Sequence, residues 1–504
     1  MGQLEWGVDL YEYVYEQIQY RIYSGEYRRG DMFPAISELV SRYNIGANTI
    51  KKAYRSLQAE GLVSTFGKGG TVVQTGAEEL YLARRYHGFL AEHSDLIFEI
   101  VSLAHHFIPA AAVLGSRRAS GEDLSELAEL LRIARENENP FQTVNALERF
   151  TERMFQPLQN ELLKYYSKTI SSILKIIDPY VIERGCFIPE LKDRVMRLYQ
   201  DIYTGFATGD EEHLYCLLFQ FYGMLKERLE PLMANLPVKA EQQREYQWLP
   251  DSRMTKQYQM VAFDLISRIS EGSILCGEYL PPEGELQKYY QTSLTTVRKA
   301  LEILQLLNIV DKQNGRGSVV KPLVMPRGKK KYQSEADKYL QNRFFEAEQM
   351  LLIIAEYAAQ LAAPVITDGD ISRISAKMNQ LKGVSEGLRY IPAMELTSLI
   401  ADRCPIKAVH TMLCCLKIFF YLNLRLDKIN QPVYNRFTAL SYEGTHNALQ
   451  LLVCGEYRRF SRAYAELMRD LALNLKEIYD TELLLELMPE GGFCGAAVCQ
   501  APVL

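Results

Sequence analysis

Two short stretches carry the side chains best suited to chemistry. One holds Asn48, Thr49, Lys51, Lys52 and Arg55; the other holds Ser293, Thr295, Thr296, Arg298 and Lys299. A glycine-rich turn follows each, with Lys68, Gly70 and Thr71 after the first and Arg316, Gly317 and Ser318 after the second. Amides, hydroxyls and fixed cations along a helix can bond base edges and neutralise phosphates. They do not form the paired nucleophile and base that bond breaking needs. No Walker loop, Gly-x-Ser-x-Gly elbow or His-Glu-x-x-His pair is expected, and no enzyme is expected.

These side chains must be held by a frame, and the frame is written twice. Residues 10–73 lie over residues 257–320 at a constant offset of 247, without a gap and with 19 identities in 64 positions. Gly30 falls on Gly277, Pro34 on Pro281, Glu38-Leu39 on Glu285-Leu286 and Ala53 on Ala300. One fixed offset marks duplication of a folded unit. In the first copy, Val14, Ile18 and Ile22 predict a helix ending at Ser24-Gly25, and Phe33-Pro34 opens a second short helix with proline in its first turn. A third helix buries Ile50, Ala53, Tyr54 and Leu57, leaving the polar set on its other faces. Leu62–Thr65 and Thr71–Val73 read as a two-strand ribbon around Gly67-Lys68-Gly69-Gly70. The second copy repeats this with Val261, Leu265 and Ile269, then Val297, Ala300, Leu301 and Leu304. Asn48 has two readings: a bidentate contact to adenine, or a cap on the third helix.

Three helices and a β-wing make a winged helix-turn-helix, and at these residues the chain resembles the GntR family of bacterial transcription regulators. The resemblance rests on Gly277-Glu278, Leu280 to Leu286, Thr296 to Leu301 and Gly315 to Ser318. It implies that the two polar sets contact double-stranded DNA. The family's usual base-reading arginines are replaced by Ala47 and Leu294 at one position and by Ser37 and Gly284 at another. Base reading would then fall to Asn48 and Thr49 in one copy, and to Thr295, Thr296 and Arg298 in the other. Residues 9–73 and 256–322 each carry eight Lys/Arg against seven Asp/Glu, so generic attraction to phosphate should be modest. Arg327-Gly-Lys-Lys-Lys331 is either a solvated linker or a phosphate-contacting arm.

After each winged helix the apolar spacing is almost wholly helical. The fold expected is therefore mainly α: two winged helices, each with a small β-wing, alternating with two all-α helical bundles. The boundaries are 9–75, 77–235, a linker at 236–254, 255–322, 333–488 and a tail at 489–504. The duplication persists in the bundles, where Gly121-Glu122-Asp123-Leu124 matches Asp368-Gly369-Asp370-Ile371. They resemble the effector-binding domain of the FadR-type branch, in which an Asp and three His often hold a metal. Those histidine positions fall on Thr151 and Thr397, and near Tyr199, Phe221, Thr445 and Leu467. No metal and no cofactor are expected, and the effector site is left open. The adjacent His105 and His106 should point to different faces of a helix.

Nine cysteines without framework spacing suggest reduced thiols in a cytoplasm, and no apolar run is expected to approach the ~20 residues of a membrane span. The function expected is sequence-specific DNA-binding transcription regulation, one chain acting as a pseudo-dimer on an asymmetric two-half-site operator, with a small organic effector in the helical domains. A homodimer is the other assembly. The alternative function is a sensor or scaffold whose winged helices make protein contacts.

Overall fold

The computed structural model describes residues 10–23, 27, 29–43, 45–66, 70–74, 84–177, 189–236, 257–270, 274–275, 277–306, 309–313, 315–321, 335–381, 392–423 and 431–479. Lys68, the linker beyond Leu236, the Arg327–Lys331 run and the tail from Pro489 lie outside them. The chain forms two compact units, Asp9–Trp248 and Leu249–Leu485.

In the first unit, α1 (Leu10–Tyr23), α2 (Ile36–Tyr43) and α3 (Ala47–Ala59) precede strands β1 (Val63–Thr65) and β2 (Thr71–Val73). Val14, Ile18 and Ile22 on α1, and Ile50, Ala53 and Leu57 on α3, are each no more than 1% exposed, as their spacing predicts. The strands pair antiparallel with Val63 opposite Val73. Two details depart from the sequence reading. Helix α2 starts at Ile36, so Pro34 stands outside its first turn, and the Pro34 carbonyl accepts the Tyr54 hydroxyl. A third extended segment also joins the ribbon: Met32 bridges Val72, and Gly30 N donates to Val73 O at 2.9 Å. Gly30 makes this approach at φ +86°, a conformation that costs glycine little.

Helices α4 (Arg84–Glu92), α5 (Ser94–Ser116), α6 (Gly121–Glu136), α7 (Pro140–Arg153), α8 (Glu161–Leu174), α9 (Pro189–Thr208) and α10 (Glu211–Ala234) complete the unit. Here the expectation about apolar runs is corrected, because α5 is 23 residues long with mean hydropathy 1.7 and is apolar enough to span a membrane by composition. It is apolar all round because it is the central helix of the bundle, packed along α10, with 78% of that stretch buried. His105 and His106 also depart from expectation. Their rings both lie against Phe219, at 3.9 and 5.5 Å. Burial, followed by the Lys226 charge for His105 and the His105 and Lys226 charges for His106, lowers their pKa values to about 4 and about 3.

The second unit repeats the plan: α11 (Gln257–Ser270), α12 (Glu283–Tyr289), α13 (Leu294–Leu306), β3 (Val310–Gln313) and β4 (Gly317–Val320). Tyr279 bridges Val319 where Met32 bridges Val72, and Gly277 N donates to Val320 O at 2.9 Å. Helices α14 (Glu335–Ala362), α15 (Asp368–Leu381), α16 (Pro392–Arg403), α17 (Lys407–Asn423), α18 (Gln431–Val453) and α19 (Tyr457–Tyr479) form the second bundle.

The duplication is physical as well as textual. Ser120 and Asp123 close a capping box at the start of α6, with Ser120 N donating to Asp123 Oδ2 at 2.7 Å and Asp123 N to Ser120 Oγ at 3.2 Å. Thr367 and Asp370, 247 residues later, make the same reciprocal bonds at 3.1 and 3.2 Å. Arg403 also pairs with Asp370 at 2.8 Å and holds its carboxyl at about 2.

One carboxyl in the second bundle works against the fold. Burial pushes Glu348, on α14, up to about 8. The folded form then holds a proton that the unfolded chain releases near its ordinary value of 4.5. Stability is therefore fully present below pH ~4.5 and is lost as pH rises through about 8. Glu348→Gln should abolish this slope, raising the melting temperature at pH 8 but not at pH 4.5; the stability recovered at pH 8 is on the order of a few kcal/mol. Melting curves across that range check it; an unchanged slope would reject the assignment.

Candidate nucleic-acid interface

Each third helix presents the polar set outward. On α3, Asn48, Lys51, Lys52 and Arg55 are exposed and Thr49 is half-buried, opposite the buried Ile50, Ala53, Tyr54 and Leu57. The N-cap of α3 is Gly46, so Asn48 sits inside the first turn and does not cap the helix. Lys52 lies over the Tyr11 ring, 3.9 Å from its centroid, and the Tyr11 hydroxyl is bonded to Ser56 Oγ at 2.7 Å. Among the described residues no ion pair involves Lys51 or Arg55. The exposed face continues into the wing through Gln58 Nε2, which donates to Thr65 Oγ1 at 2.7 Å, and through the Thr65–Thr71 hydroxyl pair at 2.9 Å.

On α13, Thr295, Arg298 and Lys299 are exposed and Thr296 is half-buried. Lys299 lies 5.6 Å from the Tyr258 ring centroid, repeating the Lys52–Tyr11 stack at the same offset. Arg298 Nε donates to Glu283 Oε2 at 2.8 Å, and Ile36 stands at the matching position of the first copy. Ser293 caps the helix, accepting from Thr296 N at 3.1 Å, with its hydroxyl 2.9 Å from Thr296 Oγ1. Ser293 and Thr296 spend hydroxyl capacity on each other, and Ser318 is 8% exposed. The reason for the second is that β4 lies between β3 and the Tyr279–Leu280 segment, so Ser318 faces Lys312 on one side while its carbonyl accepts Leu280 N at 2.8 Å on the other. Arg316 and Gly317 remain exposed, and Gly70 and Thr71 are half-buried. The ring stacks and the Glu283 pair were missed by sequence reasoning; Tyr11/Tyr258 and Lys52/Lys299 are identical pairs at offset 247 and could have signalled the first.

The profile described as "Bacterial regulatory proteins, gntR family" matches residues 10–73 and 257–320, the bounds of these two winged helices. The chain carries two gntR-family domains in tandem. The Exu regulon transcriptional regulator of Escherichia coli (strain K12) is 30% identical over 129 residues, 25% of this chain and 48% of that protein. The Galactonate operon transcriptional repressor of the same organism is 26% identical over 161 residues, 31% of this chain and 70% of that protein. The chain thus spans about half the length of the first of these relatives. Among solved structures, E. coli McbR/YncC aligns with 45% of this chain and 99% of its own length, at 17% identity and a TM-score of 0.27.

Behind the first gntR domain, the bundle holds a cavity of about 260 Å³. Thr151, Tyr199 and Phe221, the three positions carried over for metal-binding histidines, all line it. A hydroxyl, a phenol and a phenyl ring do not make a four-coordinate site. The remaining wall is mostly apolar, including Phe107, Leu147 and Ile170. Glu148 at its edge is paired with Lys175 at 3.0 Å. Behind the second gntR domain the matching Thr397 and Thr445 are wholly buried, and Thr397 Oγ1 is bonded to Ala393 O at 2.8 Å and to the Tyr464 hydroxyl at 2.9 Å.

One mixed cluster among the described residues, Asp402, His410 and Cys414, brings a donor atom from each within 4.8 Å. The Cys414 sulfur is 3.6 Å from His410 Nε2 and 3.9 Å from Nδ1, and near-equal distances place it beside the ring rather than along either lone pair. The expectation of no Gly-x-Ser-x-Gly string is corrected: Gly383-Val384-Ser385-Glu386-Gly387 has those letters, and it lies outside the described residues, between helices α15 and α16. An elbow requires a strand before it.

Proposed function

We propose that this protein is a sequence-specific, double-stranded-DNA-binding transcription regulator of the cytoplasm, in which one chain does the work of a dimer. Winged helices at 9–75 and 255–322 read two unlike half-sites, and helical bundles at 77–235 and 333–488 carry them, joined by the 236–254 linker. The observation that carries the reading is the matching register of α3 and α13, Ala47–Ala59 and Leu294–Leu306, each with its apolar side buried and its polar side open. Tethering makes the second head's binding intramolecular, at an effective concentration up to the millimolar range. Outward side chains differ between the heads, Asn48, Lys51 and Arg55 against Thr295, Arg298 and Glu302, so the preferred half-sites should differ.

A small organic effector with a large apolar portion would occupy the first bundle's cavity. A packed route leads from there to the first head. Ile177 lines the cavity, the Tyr86 hydroxyl donates to the carbonyl of neighbouring Ile176 at 2.6 Å, Tyr86 lies tilted beside Tyr23 of α1 at 6.2 Å, and Phe89 stacks on Tyr23 with its centroid 4.1 Å away. Such contiguous contacts can carry coupling when the element has two arrangements.

Footprinting on the promoter region of the protein's own operon, with light-scattering mass of the complex, tests the reading. One chain protecting an asymmetric pair of half-sites is expected. An obligate dimer on a perfect palindrome would reject the pseudo-dimer, and no protection at low salt would reject DNA binding.

A further inference from the structure

The two wings differ at positions that the 247-residue offset makes comparable. In the second, the Tyr279 ring lies over Gly317, 3.9 Å from where a Cβ would stand, and its hydroxyl donates to Gln313 Oε1 at 2.6 Å. This is a polar pair at home in water. In the first, the same two positions hold Met32 and Phe66. Met32 is 63% exposed and Phe66 58%. They flank one turn: the Met32 methyl covers the place where a Cβ on Gly70 would project, and Phe66 N donates to Gly70 O at 2.9 Å. Single exposed apolar residues are ordinary. Two of them replacing a hydrogen-bonded polar pair, beside the turn of a wing, are not.

Their surroundings indicate what covers them. Phe66 directly follows Thr65, which Gln58 ties to the exposed face of α3, the face carrying Lys51 and Arg55. A partner that satisfies those cations is polyanionic, and the same partner must offer an apolar slot beside its charges. The minor groove of a duplex does so, with sugar walls and base steps between two rows of phosphates. Proteins that bind there insert Phe, Met or Leu between base steps and kink the DNA.

We propose that the first wing is a minor-groove wedge: Phe66, backed by Met32, enters a base step beside the half-site read by α3 and bends the duplex there. The second wing, with its Tyr279–Gln313 pair, rides on the backbone without wedging. Pyrimidine–purine steps unstack most easily, so the first half-site should be flanked by a TA or CA step. This rests on the DNA-binding reading above.

The test uses the full chain and an end-labelled duplex holding the footprinted site, with binding followed by anisotropy and bending by end-to-end energy transfer. The variant Met32→Tyr/Phe66→Gln installs the second wing's own pair, which this fold already accommodates. It should bind about tenfold more weakly, in line with loss of one stacking contact. The bend should shrink, while the slope of log K against log salt stays unchanged because no cation is lost. The reciprocal Tyr279→Met/Gln313→Phe should add bending. If the first variant binds and bends as the parent does, the wedge is wrong while DNA binding stands. A changed oligomeric state with unchanged DNA affinity would make the patch a protein contact and also overturn the wedge. If the parent binds no duplex, both proposals fall.

Discussion

Lys51→Ala/Arg55→Ala is expected to weaken binding to the footprinted duplex by 10- to 100-fold at low salt, the order given by losing two phosphate contacts, and to lower the salt slope by about 2. Both side chains are exposed on α3, and neither has an ion pair among the described residues. The matching change in the second head, Arg298→Ala, should cost less and lower the slope by at most about 1. Arg298 is already held by Glu283 at 2.8 Å, and Glu302 occupies the position of Arg55, since 55 plus 247 is 302. A competing carboxylate at the helix surface offsets part of any attraction to phosphate, so the heads should divide the work unequally. A misfolded head would lose every phosphate contact it makes and lower the slope by more than about 2, so the salt titration read beside a melting curve separates the two cases. Equal slope changes in the two heads would reject the asymmetry.

Gly115→Ala is expected to lower the melting temperature of the first unit by about 5–10 °C, using the ~2–4 °C per kcal/mol typical of folds this size. In an open helix interior the same change stabilises by ~0.5–1 kcal/mol. Here the sign reverses. A Cβ on Gly115 would run into the Met154 carbonyl oxygen and stand 3.7 Å from Phe206 Cε2. Main chain cannot rotate away as a side chain can, so α5 must pull back from the end of α7, next to the cavity. Overpacking of this kind costs ~1–3 kcal/mol or more. Gly444→Ala serves as the control: the first group its Cβ would meet is the flexible Leu467 side chain. Calorimetry of both variants decides the matter, and a Gly115→Ala protein as stable as the parent would show that the two helices can separate freely.

Much of the architecture was legible because it depends on local rules. Helical spacing of Val14, Ile18 and Ile22, and of Ile50, Ala53, Tyr54 and Leu57, follows from which face must leave water, and the chain states it twice. The match of residues 121–124 to 368–371 was legible, but the capping boxes that Ser120 and Thr367 close there came from the structure. Helix α5 was misread as ordinary because its all-round burial depends on α10, nearly a hundred residues on.

The sequence by itself determined two winged helices and the polar residues on the third helix of each, because periodicity and a constant offset are properties of the chain alone. Tertiary structure decided which of those residues are available. Ser318 is enclosed between strands, Arg298 is paired with a glutamate fifteen positions back, Lys52 rests on the ring of Tyr11, and Met32 and Phe66 stand together at one turn. Each depends on a contact between segments whose separation only folding sets, so no window of residues contains it.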